Sequence, residues 1–316
     1  MSIRVAVLDD YQKVAEATAD WSQRLPGSEI TFFDSHLADP DELVAALSPF
    51  DAVVAMRERT PFPREVIERL PRLRLLVTTG MRNASIDLAA AAHAGVTVCG
   101  TRSHPAGTAE LTWALILHFV RDAGGADSRM REGGWQGPIG QDLHGETLGV
   151  FGLGRLGAQV AAVGAAFGMD VVAWSPNLTA ERAAEGGARL VAKDELFAVS
   201  KFVTVHMVLG DRSRGLIGGP ELGVMREDGY LINTSRFGLI DGEALRAALE
   251  TGRPAGVALD VFDTEPLPAD HWLRTAPRTL LSPHMGYVTE KSYQVFYRDA
   301  LDDIVAFEAG SPVREL

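Results

Sequence analysis

At 316 residues the chain has the length of about two domains and can bury a sizeable core, and its 46% hydrophobic and 23% charged residues are ordinary for a globular protein. A formal net charge of −12, with no run of Lys or Arg, argues against a nucleic-acid surface. Cys99 is the only cysteine, which excludes an internal disulfide and a multi-cysteine metal site; in the apolar run VTVCG it is expected as a buried small residue.

The N-terminal MSIRVAVLDD turns acidic after too short an apolar run for a signal peptide, and no later stretch approaches a membrane span. The expectation is a soluble cytoplasmic protein. Along the first hundred or so residues, IRVAVL, EITFFD, DAVVAM, LRLLVT and VTVCG read as buried strands. Between them stand helix-like segments such as DPDELVAALS and SIDLAAAAHAG, with acidic residues near their starts. This βαβ rhythm predicts a parallel sheet with helices on both faces. Punctuation at Ser103–Gly107 then precedes a helix predicted from Thr108 to Asp122. The glycine-broken GGADSRMREGGWQGPIGQDLHGE reads as a linking excursion. A second alternation follows, through ETLGVFG, DVVAWS, KFVTVH, DGYLINTS, GVALDVF and TLLSPH, which is six further strands. A final amphipathic helix runs from Glu290 to Ala309 and stops at Gly310. The fold class predicted is α/β, with two doubly wound parallel-sheet domains.

Gly152, Gly154 and Gly157 form GxGxxG between the strand LGVF and the helix GRLGAQVAAVGAAFG. In this strand–turn–helix setting the first glycine permits the tight turn and the second lets the backbone approach a pyrophosphate. The third lets helix and strand pack closely, and the helix N-terminus offers N–H groups to the phosphates. The next strand ends at Ser175, about where a ribose-binding acid would stand, and Ser175, Pro176 and Asn177 carry no carboxylate. Nothing there repels a 2′-phosphate, Ser175 and Asn177 could bond to one, and Arg155 or Arg182 could reach it. The reading leans to NADP(H) and keeps NAD(H) open.

Three further motifs each follow an apolar run: Arg236 in LINTSRFGLID, Glu265 in GVALDVFDTEP and His284 in TLLSPHMG. Taken singly, Arg236 could be a surface ion pair, Glu265 a turn residue before Pro266, and His284 a loop histidine. Together, at three strand ends downstream of a dinucleotide fingerprint, they point to hydride and proton transfer on a small carboxylate, because ligands of open α/β sheets bind at the carboxyl edge. Arginine's fork suits a carboxylate. A histidine can carry the proton, and a carboxylate bonded to the imidazole favours its protonated form.

With GLGRLG ahead of them, and with TAELTWALIL and the returning C-terminal helix, these motifs make nearly the whole chain resemble the D-isomer-specific 2-hydroxyacid dehydrogenase family. The resemblance implies a flavodoxin-like substrate-binding domain from residues 1–100 and 288–316, a Rossmann dinucleotide-binding domain from 101–287, and an active site in the cleft between them. It implies a homodimer, with contacts from the helix near Thr108 and the excursion around Trp135. It implies that Arg236 holds the substrate carboxylate, that His284 is the acid–base, and that Glu265 supports it. The implied cofactor positions are Gly152, Gly154, Arg155, Leu156, Gly157, Ser175, Asn177, Val208, Ser213, Thr234, Asp260 and Gly286, with Asp260 binding the carboxamide. The implied substrate positions are Arg57, Gly80, Met81 and Arg82 beside Arg236, in loops after DAVVA and LRLLV where backbone N–H groups can bind a carboxylate.

Departures from the family pattern leave the acid itself open. Phe237 follows the arginine where a small residue is usual, Val208 stands where proline is common, and the loop GMRNAS differs from the usual Gly-rich form. Phe237 and Tyr287 are expected to narrow the pocket or give it an apolar wall. The implied activity is NAD(P)-dependent 2-ketoacid reduction, without nucleic-acid or membrane partners. Two alternatives stand beside it: a non-enzymatic, corepressor-like dinucleotide sensor, and a formate-type dehydrogenase, which Glu265 opposes because those enzymes carry Gln there. A hydrolase is excluded by the lack of GxSxG and of a Walker A lysine. The histidines His36, His93, His104, His118, His144, His206 and His271 are read as unpaired with carboxylates at i, i+4, so no zinc site is expected, and His206 is read as a hydrogen-bonded loop residue.

Overall fold

Strands that are apolar at every position, without alternation, can only belong to sheets covered on both faces. The computed structural model, which describes residues 2–316, shows two such sheets in two separate units. One unit comprises the chain up to His104 together with Val288–Leu316, and the other Pro105–Tyr287.

The first unit contains β1 (Arg4–Val7), β2 (Glu29–Phe32), β3 (Ala52–Ala55), β4 (Leu75–Thr78) and β5 (Thr97–Gly100). They pair in parallel in the order β2-β1-β3-β4-β5, so the order reverses between β1 and β3. Right-handed crossovers therefore put helices on opposite faces on either side of that switch. Helix Pro40–Leu47 starts where the Asp39 carboxylate accepts from the amides of Asp41 and Glu42, with Pro40 in its first turn. Asp87 caps Leu88–His93 in the same way. The last helix, Glu290–Glu308, returns to this unit and buries Tyr293, Phe296, Tyr297, Leu301 and Ile304. The tail after it lies antiparallel to β5, with Gly100 N donating to Arg314 O and Leu316 N to Val98 O, and so covers part of an otherwise open edge. Cys99 is fully buried here, and burial pushes its thiol up to about 12.

The second unit contains β6 (Thr147–Phe151), β7 (Asp170–Trp174), β8 (Arg189–Leu190), β9 (Phe202–Val205), β10 (Tyr230–Asn233), β11 (Gly256–Leu259) and β12 (Thr279–Leu281). Their order is β12-β11-β10-β9-β6-β7-β8, all parallel, with the switch between β6 and β9. Successive residues of one strand enter two different cores. Val171, Ala173, Ile232 and Ala258 join one, and Val172, Leu231, Val257 and Leu259 join the other. That two-sided burial is why these runs are continuously apolar.

Four local expectations need correction. The sheet has a seventh strand, β8, too short to register as an apolar run. β11 stops at Leu259, because Asp260 leaves the strand to fold a neighbouring loop. The glycine-broken excursion begins as a helix, Ala123–Arg131. Asp122 caps it by accepting from Gly125 N, and Arg129–Asp122 and Arg131–Asp127 ion pairs lie along it. The helix before it spans Gly107–Arg121. His118 and Asp122 do stand at i, i+4 after all, with Nε2 3.9 Å from the carboxylate. Among the described residues, no cluster of three or more His, Cys, Asp or Glu is arranged to hold a metal ion, and no helix is long and apolar enough to cross a membrane.

Leu231 in the central β10 is fully buried. Leu231→Ala should lower unfolding free energy by about 2–5 kcal/mol, read as an earlier urea midpoint at unchanged slope.

Candidate active site

The glycine turn is shaped by what a side chain would strike. Gly152 has φ 106°, and a Cβ on it would lie 2.8 Å from the carbonyl carbon of His206. A Cβ on Gly157 would collide with the carbonyl oxygen of Gly152. Gly154, by contrast, faces open space and caps helix Arg155–Ala166. A bare backbone beside the unpaired N–H groups of a twelve-residue helix suits a pyrophosphate. Arg155 is exposed and Leu156 half-buried on the first turn. Ser175 closes the turn, its hydroxyl accepting from Leu153 N at 3.0 Å, while Asn177 is exposed.

His206 follows β9, directly beneath this turn. It is not the hydrogen-bonded loop residue expected from sequence. Its Nε2 is enclosed without a hydrogen-bond partner, and burial lowers its pKa from 6.5 to about 4, so the ring is neutral near pH 7. In the next loop Val208 is 76% exposed. Ser213, proposed from sequence as a cofactor contact, has its hydroxyl engaged within the loop, where it donates to Val208 O at 2.7 Å and accepts from Gly210 N at 2.9 Å. Thr234 is likewise buried, with its hydroxyl 2.9 Å from that of Thr112.

Arg236, Glu265 and His284 stand beyond the carboxyl ends of the adjacent strands β10, β11 and β12. Arg236 is extended (φ −146°, ψ 137°), and its Nη1 donates to Ser235 O at 2.8 Å. Phe237 after it forms no wall of a site. It is 7% exposed and packs into the core, because the short 3-10 helix Phe237–Leu239 turns the ring inward. Glu265 uses its two oxygens differently. Oε1 accepts from Phe262 N at 2.8 Å, and Oε2 lies 2.5 Å from His284 Nδ1. A carboxylate against Nδ1 keeps the proton on that nitrogen, so Nε2 is the atom left for chemistry. The Tyr287 ring meets the imidazole edge-on at 5.5 Å.

His284 has φ 50°, an unfavourable backbone for a non-glycine residue. Asp260 holds it there. This carboxylate is 1% exposed; Oδ1 accepts from Ser282 Oγ at 2.5 Å and Met285 N at 2.8 Å, and Oδ2 accepts from Gly286 N at 2.9 Å. Burial holds its pKa above the ordinary carboxylate value, against the smaller opposing pull of those donors and of His284. Asp260, expected from sequence as a carboxamide acceptor, folds the histidine loop through these three bonds. A Cβ on Gly286 in that loop would press within 3.1 Å of Thr108 Oγ1 and 3.2 Å of Asp260 Oδ2.

In the first unit, Arg57 follows β3 with φ 52°, and Gly80 follows β4 with φ 92°. Arg57 N donates to Thr79 Oγ1 at 2.9 Å and its Nη1 to Thr79 O at 3.2 Å, which lays the guanidinium where a Gly80 side chain would be. Asn83, which sequence reasoning did not assign, locks the two loops by donating to Arg57 O at 2.7 Å and Thr78 Oγ1 at 2.9 Å. Met81 and Arg82 are exposed. The structure thus joins Arg57 to Gly80 in one unit, and Arg236, Glu265 and His284 to one sheet edge in the other.

Residues 113–286 match the family model described as "D-isomer specific 2-hydroxyacid dehydrogenase, NAD binding domain". The chain is 35% identical to a glyoxylate reductase of Aeropyrum pernix over 78% of this chain and 76% of that one. It is 32% identical to a D-3-phosphoglycerate dehydrogenase of Bacillus subtilis over 90% of this chain but only 54% of that one, so it spans about half the length of such relatives. A phosphoglycerate oxidoreductase of Vibrio cholerae superposes with a TM-score of 0.92 at 34% identity, over 98% of this chain and 100% of that one.

Gly157→Ala should displace the Gly152 carbonyl and weaken NADH binding by at least about 10-fold in a fluorescence titration, since phosphate contact depends on that backbone. For His206 the sign follows from its lowered pKa: between pH 6.5 and about 4 the unfolded chain takes up a proton that the folded ring refuses. The wild type should therefore lose stability relative to His206→Asn as pH falls through that window, and thermal melts of both proteins across it check this.

Proposed function

Because the chain belongs to the D-isomer-specific 2-hydroxyacid dehydrogenase family, whose members are NAD-dependent oxidoreductases of the CH–OH group, we propose that it reduces a small 2-ketoacid at C2, with Arg236, Glu265 and His284 as its machinery. The observation that carries this reading is the 2.5 Å Glu265–His284 pair at the same sheet edge as Arg236. A bound nicotinamide supplies the hydride for C2. Arg236 holds the substrate carboxylate through two parallel N–H donors and draws charge toward the adjacent carbonyl. His284 delivers the proton from Nε2 to the carbonyl oxygen, giving the hydroxyl. Glu265, fixed by Phe262 N, holds Nδ1 and orients the ring so that Nε2 faces the carbonyl oxygen. In the reverse direction His284 takes the hydroxyl proton. Tyr287 supplies an aromatic surface against the imidazole. Arg57, Gly80, Met81 and Arg82 are proposed as substrate-binding positions of the first unit.

Gly152, Gly154 and Gly157 would hold the pyrophosphate. With no carboxylate among Ser175–Asn177 and with Ser175 engaged by Leu153, the ribose site tolerates a 2′-phosphate, which supports NADP(H) alongside NAD(H). Relatives named for glyoxylate and for 3-phosphoglycerate make 2-ketoacids with and without a second anionic group the substrates to compare.

We also propose a homodimer through the segment around residues 117–139, where Leu117, Met130, Trp135 and Ile139 are 38%, 50%, 73% and 99% exposed. Large apolar side chains left in water along one stretch of chain suit an association surface.

Oxidation of NADPH and NADH should be observed with glyoxylate, hydroxypyruvate or a bulkier 2-ketoacid. His284→Ala should lower kcat by about 10²–10⁴ while dinucleotide binding persists. If both cofactors bind and none of the ketoacids is reduced, the reading fails. Sedimentation equilibrium should give twice the chain mass, and Ile139→Asp with Trp135→Glu should shift it toward the monomer.

A further inference from the structure

Arg236 is the last of four residues in a tight turn, and the turn is closed by a side chain for which the chemistry above has no use. Asn233, the final residue of β10, is completely buried between Val205 of β9 and Leu259 of β11. Its Nδ2 donates to the carbonyl of Arg236 at 2.9 Å, and its Oδ1 accepts from Ser235 N at 3.0 Å. Both ends of the side-chain amide therefore bond within the turn that brings the chain from strand to arginine. The main chain of Asn233 is tied as well, its carbonyl accepting at 3.0 Å from the amide of Asp260, the acid that folds the His284 loop. Ser235 Oγ adds a bond to Met207 O at 2.6 Å and fixes the turn against the loop after β9.

We propose that Asn233 is the positioning residue for Arg236: its side-chain amide sets the backbone from which the guanidinium projects toward the substrate carboxylate. No smaller or charged side chain reproduces the pair of bonds. Alanine leaves Ser235 N without this acceptor and takes the amide donor from Arg236 O, which also accepts from Leu239 N at 3.3 Å. Aspartate keeps the acceptor for Ser235 N but sets an oxygen against the Arg236 carbonyl, repelling where the amide attracts. A bidentate contact to a carboxylate is sensitive to such a shift, because both N–H bonds must align together. Asn233 itself makes no bond to the glycine turn after β6, so dinucleotide affinity is predicted to change far less than oxamate affinity.

The inference rests on Arg236 as the carboxylate holder, and the experiment separates the two claims. Binding of oxamate, a carboxylate-bearing amide that mimics a 2-ketoacid, is measured by calorimetry on the wild type–NADH complex and on Asn233→Ala, Asn233→Asp, Arg236→Ala and the double variant Asn233→Ala/Arg236→Ala, with NADH affinity measured in parallel. Expected are about 10-fold weaker oxamate binding for Asn233→Ala and at least that for Asn233→Asp. NADH affinity should be unchanged within about twofold, and the KM for the ketoacid should rise more than kcat falls. The double variant should bind oxamate no more weakly than Arg236→Ala alone, because the asparagine acts through the arginine. Additive losses in the double variant, equal weakening of NADH and oxamate, or wild-type oxamate binding by both Asn233 variants would each overturn the positioning role. Should Asn233→Ala not fold, Asn233→Asp carries the same comparison. Wild-type oxamate affinity in Arg236→Ala would instead overturn the reading of the arginine itself.

Discussion

The buried carboxylate of Asp260 is the constraint on which the histidine side of the site depends. Three donors converge on it from Ser282, Met285 and Gly286, and its own amide bonds to Asn233 O. A carboxylate removed from water is costly unless its lone pairs are satisfied. The bonds that satisfy it are the same bonds that hold His284 in a left-handed backbone, a conformation costing on the order of 1–3 kcal/mol for a non-glycine residue. The desolvation of one group is thereby converted into the fixed geometry of another. Coupling through the Asn233 main chain ties this loop to the arginine turn, so the two sides of the candidate site share one frame.

The same logic repeats at lower stakes. Glu265 gives one oxygen to its own loop at Phe262 N and the other to His284, so the orienting group is itself oriented. In the first unit Asn83 ties the β3 and β4 loops, and Gly80 leaves space for the Arg57 guanidinium. In both units the polar side chains that define a loop are amides or carboxylates bonding to backbone, placed just past the carboxyl ends of parallel strands. Those ends are the natural places for such loops. Parallel strands need crossovers, and where the strand order reverses, adjacent loops diverge and leave room for a ligand.

Electrostatics divides along burial. Most ion pairs, such as Arg131–Asp127 and Arg64–Glu68, join half-exposed side chains and contribute little, since water screens them. The groups that matter each place a charged or polar atom out of water: Asp260, neutral His206 with its enclosed Nε2 beneath the glycine turn, and Asp299, a nearly fully buried carboxylate that takes three donors from Arg102. A net charge of −12 is therefore compatible with binding small anions, because the cationic residues that count are individually placed.

Much was legible from sequence because it depends on pattern along the chain. Continuously apolar runs identify two-sided burial, hence parallel sheets and crossovers. Glycines at Gly152, Gly154 and Gly157 between a strand and a helix identify the turn, and Arg236, Glu265 and His284 fall past strand ends by counting alone. What needed the tertiary structure was direction. Whether Phe237 faces a site or the core, which backbone groups Asp260 holds, and which atoms the Ser213 hydroxyl engages are decided by partners distant in sequence or by a local backbone turn that composition does not encode. The helix Ala123–Arg131 was hidden for a related reason, since its stability comes from the Asp122 cap and side-chain pairs and not from an apolar stripe. Sequence by itself determined which residues reach the sheet edge, because strand period and apolar burial are local. Only the packed fold decided which way each side chain points there, because that choice is set by whichever donor, acceptor or cavity the rest of the chain brings alongside.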